Sequence, residues 1–93
     1  MAHLTITQIR QLIRTLNYVV STHAAEELED DDLSIYDLEN IILTGSITER
    51  QRDAKTHESK TVISGATLDG SNAQAVVKTG FTGKLIVITV YVI

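Results

Sequence analysis

The sequence predicts an α+β domain: two or three N-terminal helices followed by a four-stranded antiparallel sheet. Three observations predict it. Apolar residues recur at helical spacing as far as Gly45 and alternate at strand spacing beyond it. The two later links between alternating segments are short and contain glycine, which favours antiparallel neighbours. A chain of 93 residues has room for one core, so residues 1–93 make a single domain.

The first helix is expected over about residues 5–16. Thr5 followed by Gln8 fits a capping box. Ile9, Leu12, Ile13 and Leu16 fall on one face, and Asn17 is a candidate left-handed stop. Tyr18-Val19-Val20 is too short for more than a bridge or a small edge strand. The second helix is expected over about 22–29, with Ser21 or Thr22 as N-cap and Ala24, Ala25 and Leu28 as its apolar face. Asp30-Asp31-Asp32 ends it, because adjacent like charges repel and Asp is a poor helix former. The third helix, about 34–44, opens with Ser34 and Asp37 in capping-box register. Ile35, Leu38, Ile41 and Ile42 form its stripe, and Gly45 stops it.

Strands are expected near 47–52, 60–68, 73–78 and 84–93. A polar loop around Asp53–His57 and two hairpin links, at 69–72 and 79–83, join them. The last strand, Leu85 to Ile93, is apolar on both faces except for Thr89 and Tyr91. At an open edge it would invite aggregation, so a position inside the sheet is expected, with helices on one face. A second copy of the chain would cover the other face if the chain itself does not.

Composition excludes several classes. There is no cysteine, so disulfides and thiolate metal sites are ruled out. No apolar run reaches the length of a membrane-spanning helix, and Arg10 and Arg14 interrupt the first apolar pattern, so no membrane segment or leader is expected and a cytoplasmic location is. Net charge is −4, unevenly spread: residues 26–39 carry eight acids and no base, whereas from Arg50 onward six bases face three acids. Overall acidity argues against a non-specific nucleic-acid binder but leaves room for a local phosphate site. The acidic run lacks the glycine and the distal glutamate of a calcium loop, and His23 with Glu26 or Glu27 is not a metal site. No metal and no cofactor are expected.

Candidate site residues each carry two readings. His23, on the first turn of a helix, suits a general acid or base; the alternative is a histidine that hydrogen-bonds across to the sheet and fixes the helix start. Arg50 and Arg52 are two apart in a strand and share a face, with His57 and Lys60 just across the next turn. Two guanidiniums there could grip a phosphate, or they could be solvated and paired with Glu49, Asp53 and Glu58. Thr89 and Tyr91 share a face of the last strand. They could line a pocket with the arginines or be a satisfied hydroxyl pair.

Taken together, Ser21-Thr22-His23-Ala24 with Glu26-Glu27, Asp32-Leu33-Ser34 with Leu38, Ile41-Ile42 with Gly45, Ile63-Ser64-Gly65 with Asp69-Gly70, and Ile88-Thr89-Val90-Tyr91 resemble the bacterial domain-of-unknown-function 4258 family, common in cyanobacteria. That family is similar in layout to RelE-like and BrnT-like toxins of toxin–antitoxin modules. The resemblance implies a metal-independent endoribonuclease with RNA as substrate and an antitoxin protein as partner. His23, Arg50, Arg52 and Tyr91 would then be catalytic, and His57, Lys60 and Thr89 would bind substrate. The rival expectation is a non-catalytic interaction module, homodimeric through its sheet, with the His23 ring buried and the arginines paired to local acids.

Overall fold

Thr5 opens the first helix as the sequence predicts. Its hydroxyl accepts from Gln8 N–H at 3.1 Å, and Gln8 Oε1 accepts from Thr5 N–H at 2.9 Å. The computed structural model describes residues 4–52, 54–56, 58–80 and 82–93. Its elements are α1 (Ile6–Arg14), β1 (Tyr18–Val20), α2 (Thr22–Asp30), α3 (Ile35–Thr44), β2 (Ser46–Arg52), β3 (Ser59–Ala66), β4 (Asn72–Thr79) and β5 (Leu85–Val92).

Helices α1 and α2 stop in the same way. After α1, Leu16 N–H reaches Ile13 O and Asn17 N–H reaches Leu12 O; after α2, Asp32 N–H reaches Glu29 O and Leu33 N–H reaches Leu28 O. Both are Schellman closures, which need one residue in the left-handed region. Leu16 (φ 58°) and Asp32 (φ 55°) supply it. The expectation that Asn17 takes this role is corrected: the turn falls one residue earlier, on Leu16, which is 71% exposed. A leucine there carries a steric cost that glycine lacks. Leu16→Gly is therefore expected to raise stability by about 0.5–1 kcal/mol in urea unfolding; a loss of stability would contradict it.

The sheet has five strands and is mixed, in the order β1-β5-β4-β3-β2. This corrects the four-stranded antiparallel expectation. β2 to β5 do form an antiparallel meander, but Tyr18–Val20 pair parallel to Leu85–Val87 and add a fifth strand. The start of the apolar β5, Leu85–Val87, is thereby enclosed between β1 and β4. β3 ends at Ala66, two residues short of the expected bound. Thr67 N–H bonds Ser71 O instead of continuing the ladder, and Leu68 turns out to solvent.

All three helices pack on one face. Ile9 and Ile13 of α1, Ala24 and Leu28 of α2, and Leu38, Ile41 and Ile42 of α3 meet Ile63, Ala73, Ala75, Val77, Leu85, Val87 and Val90. Ser34 N–H and Leu68 N–H both donate to the Asp37 carboxylate and hold its pKa below the ordinary range, so this side chain caps α3 and ties it to the β3–β4 turn. Gly45 caps α3 in extended backbone rather than in the left-handed region, and its carbonyl accepts from Arg10 at 2.7 Å. Its lack of a side chain is a matter of room: a Cβ would lie 2.4 Å from Ile41 O.

Among the described residues, no helix covers the opposite face. By strand alternation it carries Gln74, Val76 and Lys78 of β4 and Lys60, Val62 and Ser64 of β3. A hydrogen-bonded row crosses it: Thr48 to Ser64, Gln74 to Ser64, and Tyr91 O–H to Gln74.

Candidate functional site

Three residues suffice to pair β1 with β5, so from Ile88 onward the β5 edge has no strand beside it. Helix α2 lies along that edge, and its polar side chains do the pairing. Ser21 N–H bonds Val87 O at 3.0 Å, the last strand-like contact. Ser21 Oγ then accepts from Ala24 N–H as the N-cap and donates to Ile88 O, each at 3.0 Å. Six residues on, Glu27 Oε1 accepts Val90 N–H at 3.0 Å and the Thr89 hydroxyl. Asp31 Oδ2 faces Val92 N–H at 3.4 Å. Ser21 as the N-cap of α2, Glu27 within it and Asp31 as its C-cap all reach β5, which presents its edge N–H groups at alternate residues. A helix thus completes a sheet edge through carboxylates.

The reach of Thr89 depends on a bulge. Val77 pairs with Val87 but Val76 pairs with Thr89, so Ile88 is the extra residue. His23 stands on the first turn of α2, four residues before Glu27, with Nε2 3.4 Å from Glu27 Oε1. Its side chain is 67% exposed, against 24% for Glu27. The imidazole is not buried against the sheet, and its contact with Glu27 links it to the sheet. His23, Glu27 and Thr89 therefore share one oxygen. An exposed imidazole beside a fixed carboxylate has the geometry of a proton-transfer pair. The Thr89 hydroxyl proton points at the carboxylate rather than at the imidazole.

The other expected site residues lie elsewhere. Arg50 and Arg52 sit on β2, the opposite edge, roughly 14 Å from β5 at the usual strand spacing. Arg50 faces the helix side, opposite Thr61, and donates to Leu4 O at 2.8 Å and to Thr61 Oγ1 at 3.5 Å. No acid takes part in those two bonds. Lys60 lies on the uncovered face opposite Gln51. Tyr91 is on that face too, bound to Gln74. Thr89 and Tyr91 are thus close to each other, but the Thr89 hydroxyl turns to α2. His57 lies outside the described residues. Of the expected set among the described residues, His23 and Thr89 converge, and they do so on Glu27, which carried no predicted role. Its signal is the His-x-x-x-Glu spacing, which puts both side chains on one helical face.

A second partly buried acid also escapes the sequence. Tyr18 O–H donates to Glu39 Oε2 at 2.6 Å, and burial, followed by the Glu39 hydrogen bond and charge, pushes its pKa up to about 12. Among the described residues, no group of three or more His, Asp or Glu side chains is placed to hold a metal ion, and no helix is long and apolar enough to cross a membrane.

These features define a class: a one-sided α+β domain, three helices on one face of a mixed five-stranded sheet, with the second helix sealing the strand edge left open by a short parallel β1. Residues 20–92 match the family model of a domain of unknown function, DUF4258, and the chain belongs to that family. The match spans the whole arrangement from the end of β1 to β5. No curated protein and no solved structure matches the chain.

Proposed function

We propose that the protein is a non-catalytic interaction module that self-associates through its uncovered sheet face. The observation that carries this reading is the apolar centre of that face. Val62, itself buried, and the half-buried Val76 lie side by side across β3 and β4, with the half-buried Ile86 on β5 and the exposed Val19 paired to it on β1 beyond them. Polar residues border this centre on two sides: the row ending at Tyr91, and the Lys78–Glu58 ion pair at 3.0 Å. A face of this width and strand length offers about 500–600 Å² per copy, or about 1,100 Å² in a face-to-face pair, which clears the floor of about 1,000 Å² for a biological interface and falls just short of the standard range. Sedimentation equilibrium at micromolar concentration is expected to give a dimer, and Val76→Asp a folded monomer. A wild-type protein that stays monomeric at several hundred micromolar would overturn the reading.

A second reading rests on the convergence of His23, Glu27 and Thr89 and on the likeness to RelE-like and BrnT-like toxins. On it, the protein is a metal-independent endoribonuclease of the bacterial cytoplasm, held in check by an antitoxin. His23 moves protons, and RNA reaches Arg50, Arg52 and Lys60 along the sheet. One feature favours the first reading: the arginines and His23 lie at opposite edges of the sheet. Incubation with mixed RNA in EDTA separates the two. Intact RNA is expected. Cleavage by wild type that is lost in His23→Ala would replace the interaction module with the nuclease.

A further inference from the structure

We propose that the open edge of β2 is a docking site for an extended acidic segment of a partner protein, added to the sheet as a sixth strand. β2 ends the sheet, so alternate N–H and C=O groups along Ser46–Arg52 point away from β3. The bulge at Thr48 disturbs only its start, and pairing with β3 runs without interruption from Glu49 to Arg52. Along this stretch the two faces differ in charge. Arg50 and Arg52 project on the helix side. Glu49 and Gln51 project on the other side, where Gln51 Nε2 donates to Glu49 Oε2 at 2.6 Å. Across the ladder, β3 sets Thr61 and Ser59 opposite the two arginines and so offers no carboxylate to either. Arg50 spends one donor on Thr61 and one on Leu4, which leaves the other N–H groups of its fork.

The same alternation disfavours the β2 edge of a second copy, paired antiparallel, as the occupant. Two β2 edges joined antiparallel must pair residues of the same face, because side chains alternate with period two. With the dyad at residue 49, Glu49 meets Glu49. At residue 50, Arg50 meets Arg50, and at residue 51, Arg50 meets Arg52. Every central register sets like charges opposite each other, which destabilises the pair. A strand with carboxylates two residues apart puts them opposite Arg50 and Arg52 instead, each within reach of a charge-assisted hydrogen bond. This site goes beyond the self-association proposed above. A face-to-face dimer leaves the β2 edge free, so a monomer that still takes acidic strands would end the dimer reading and leave this one standing.

The test is selection of a displayed library of random ten-residue peptides on the folded, full-length protein, followed by binding measurements on the enriched peptides. The expected peptides carry Asp or Glu two residues apart, shift the amide signals of residues 46–52, and bind at least tenfold more weakly in 500 mM salt than in 50 mM. Arg52→Glu, which removes neither Arg50 contact, is expected to weaken them at least tenfold and to favour versions in which Lys replaces the acids. Arg50→Glu is expected to do the same if its spectrum shows the native fold. The proposal is overturned if no peptide is enriched, if enriched peptides lack the paired acids, if Arg52→Glu leaves their affinity unchanged, or if the shifts fall on Val76, Tyr91 or α2.

Discussion

Gly65→Ala is expected to cost about 3 kcal/mol or more, a fall in melting temperature of roughly 12–24 °C for a domain of this size. The reason is a backbone crossing. A Cβ at residue 65 would lie 2.1 Å from Ile41 O and 2.9 Å from Ile41 C, with the Cα of Gly45 at 3.0 Å. These are main-chain atoms near the end of α3, held by the helix and by the fully buried Ile41 and Ile42 side chains, so no rotamer change can make room. The methyl group forces α3 away from β3, which opens the core at Ile63. Gly70 is the matched control. Its φ is +89° and nothing lies within 4 Å of a Cβ built there, so Gly70→Ala carries only a backbone cost of about 1 kcal/mol. Urea unfolding of both variants checks the comparison; equal losses would show that α3 is not pressed on β3 as described.

Glu27→Ala is expected to be the most costly change at any charged residue, about 2–3 kcal/mol. It removes the acceptor of Val90 N–H and of the Thr89 hydroxyl together and leaves both on a strand edge shielded by α2. Glu27→Gln keeps one carbonyl oxygen and is expected to lose about 1 kcal/mol. His23→Ala is expected to change stability by less than about 0.5 kcal/mol, because the imidazole is mostly exposed and touches only Glu27 among the charged groups described. Amide exchange adds a local readout: the Val90 amide should exchange much faster in Glu27→Ala and unchanged in His23→Ala. Equal losses in the two variants would mean that the histidine, and not the sheet edge, is what Glu27 serves.

Much of this architecture is legible in the residues because its signals are local. The capping boxes at Thr5 and Ser34 need only side chains three apart, and the alternation in β4 needs only its own eight residues. What is hidden depends on distant partners. Tyr18-Val19-Val20 reads as a bridge or small edge strand and is one, but its three residues do not show the partner, Leu85–Val87, that makes the sheet five-stranded and mixed. Glu27 looks like one more acid in a solvated run until β5 is placed next to α2. The bulge at Ile88 gives no sign in an unbroken apolar run, yet it sets where Thr89 points. The site was half legible for the same reason. His23 and Thr89 stand out as polar groups in apolar or structured surroundings, whereas the grouping of His23 with Arg50 fails on strand order, which short-range spacing does not contain.

The parallel pairing of β1 with β5 also bears on how the protein is made. Tyr18 leaves the ribosome early, but its partner Leu85 follows only after α2, α3 and three further strands have been synthesised. Until β5 emerges, α2 has no edge to lie along, and Ser21, Glu27 and the N-terminal apolar face wait in solution. The hairpins of β2 to β4 close over short links and can form first. The domain should therefore gain its native structure in one late step, when β5 slots between β4 and β1. Nascent chains stalled before residue 85 should remain open to proteases throughout α1 and α2.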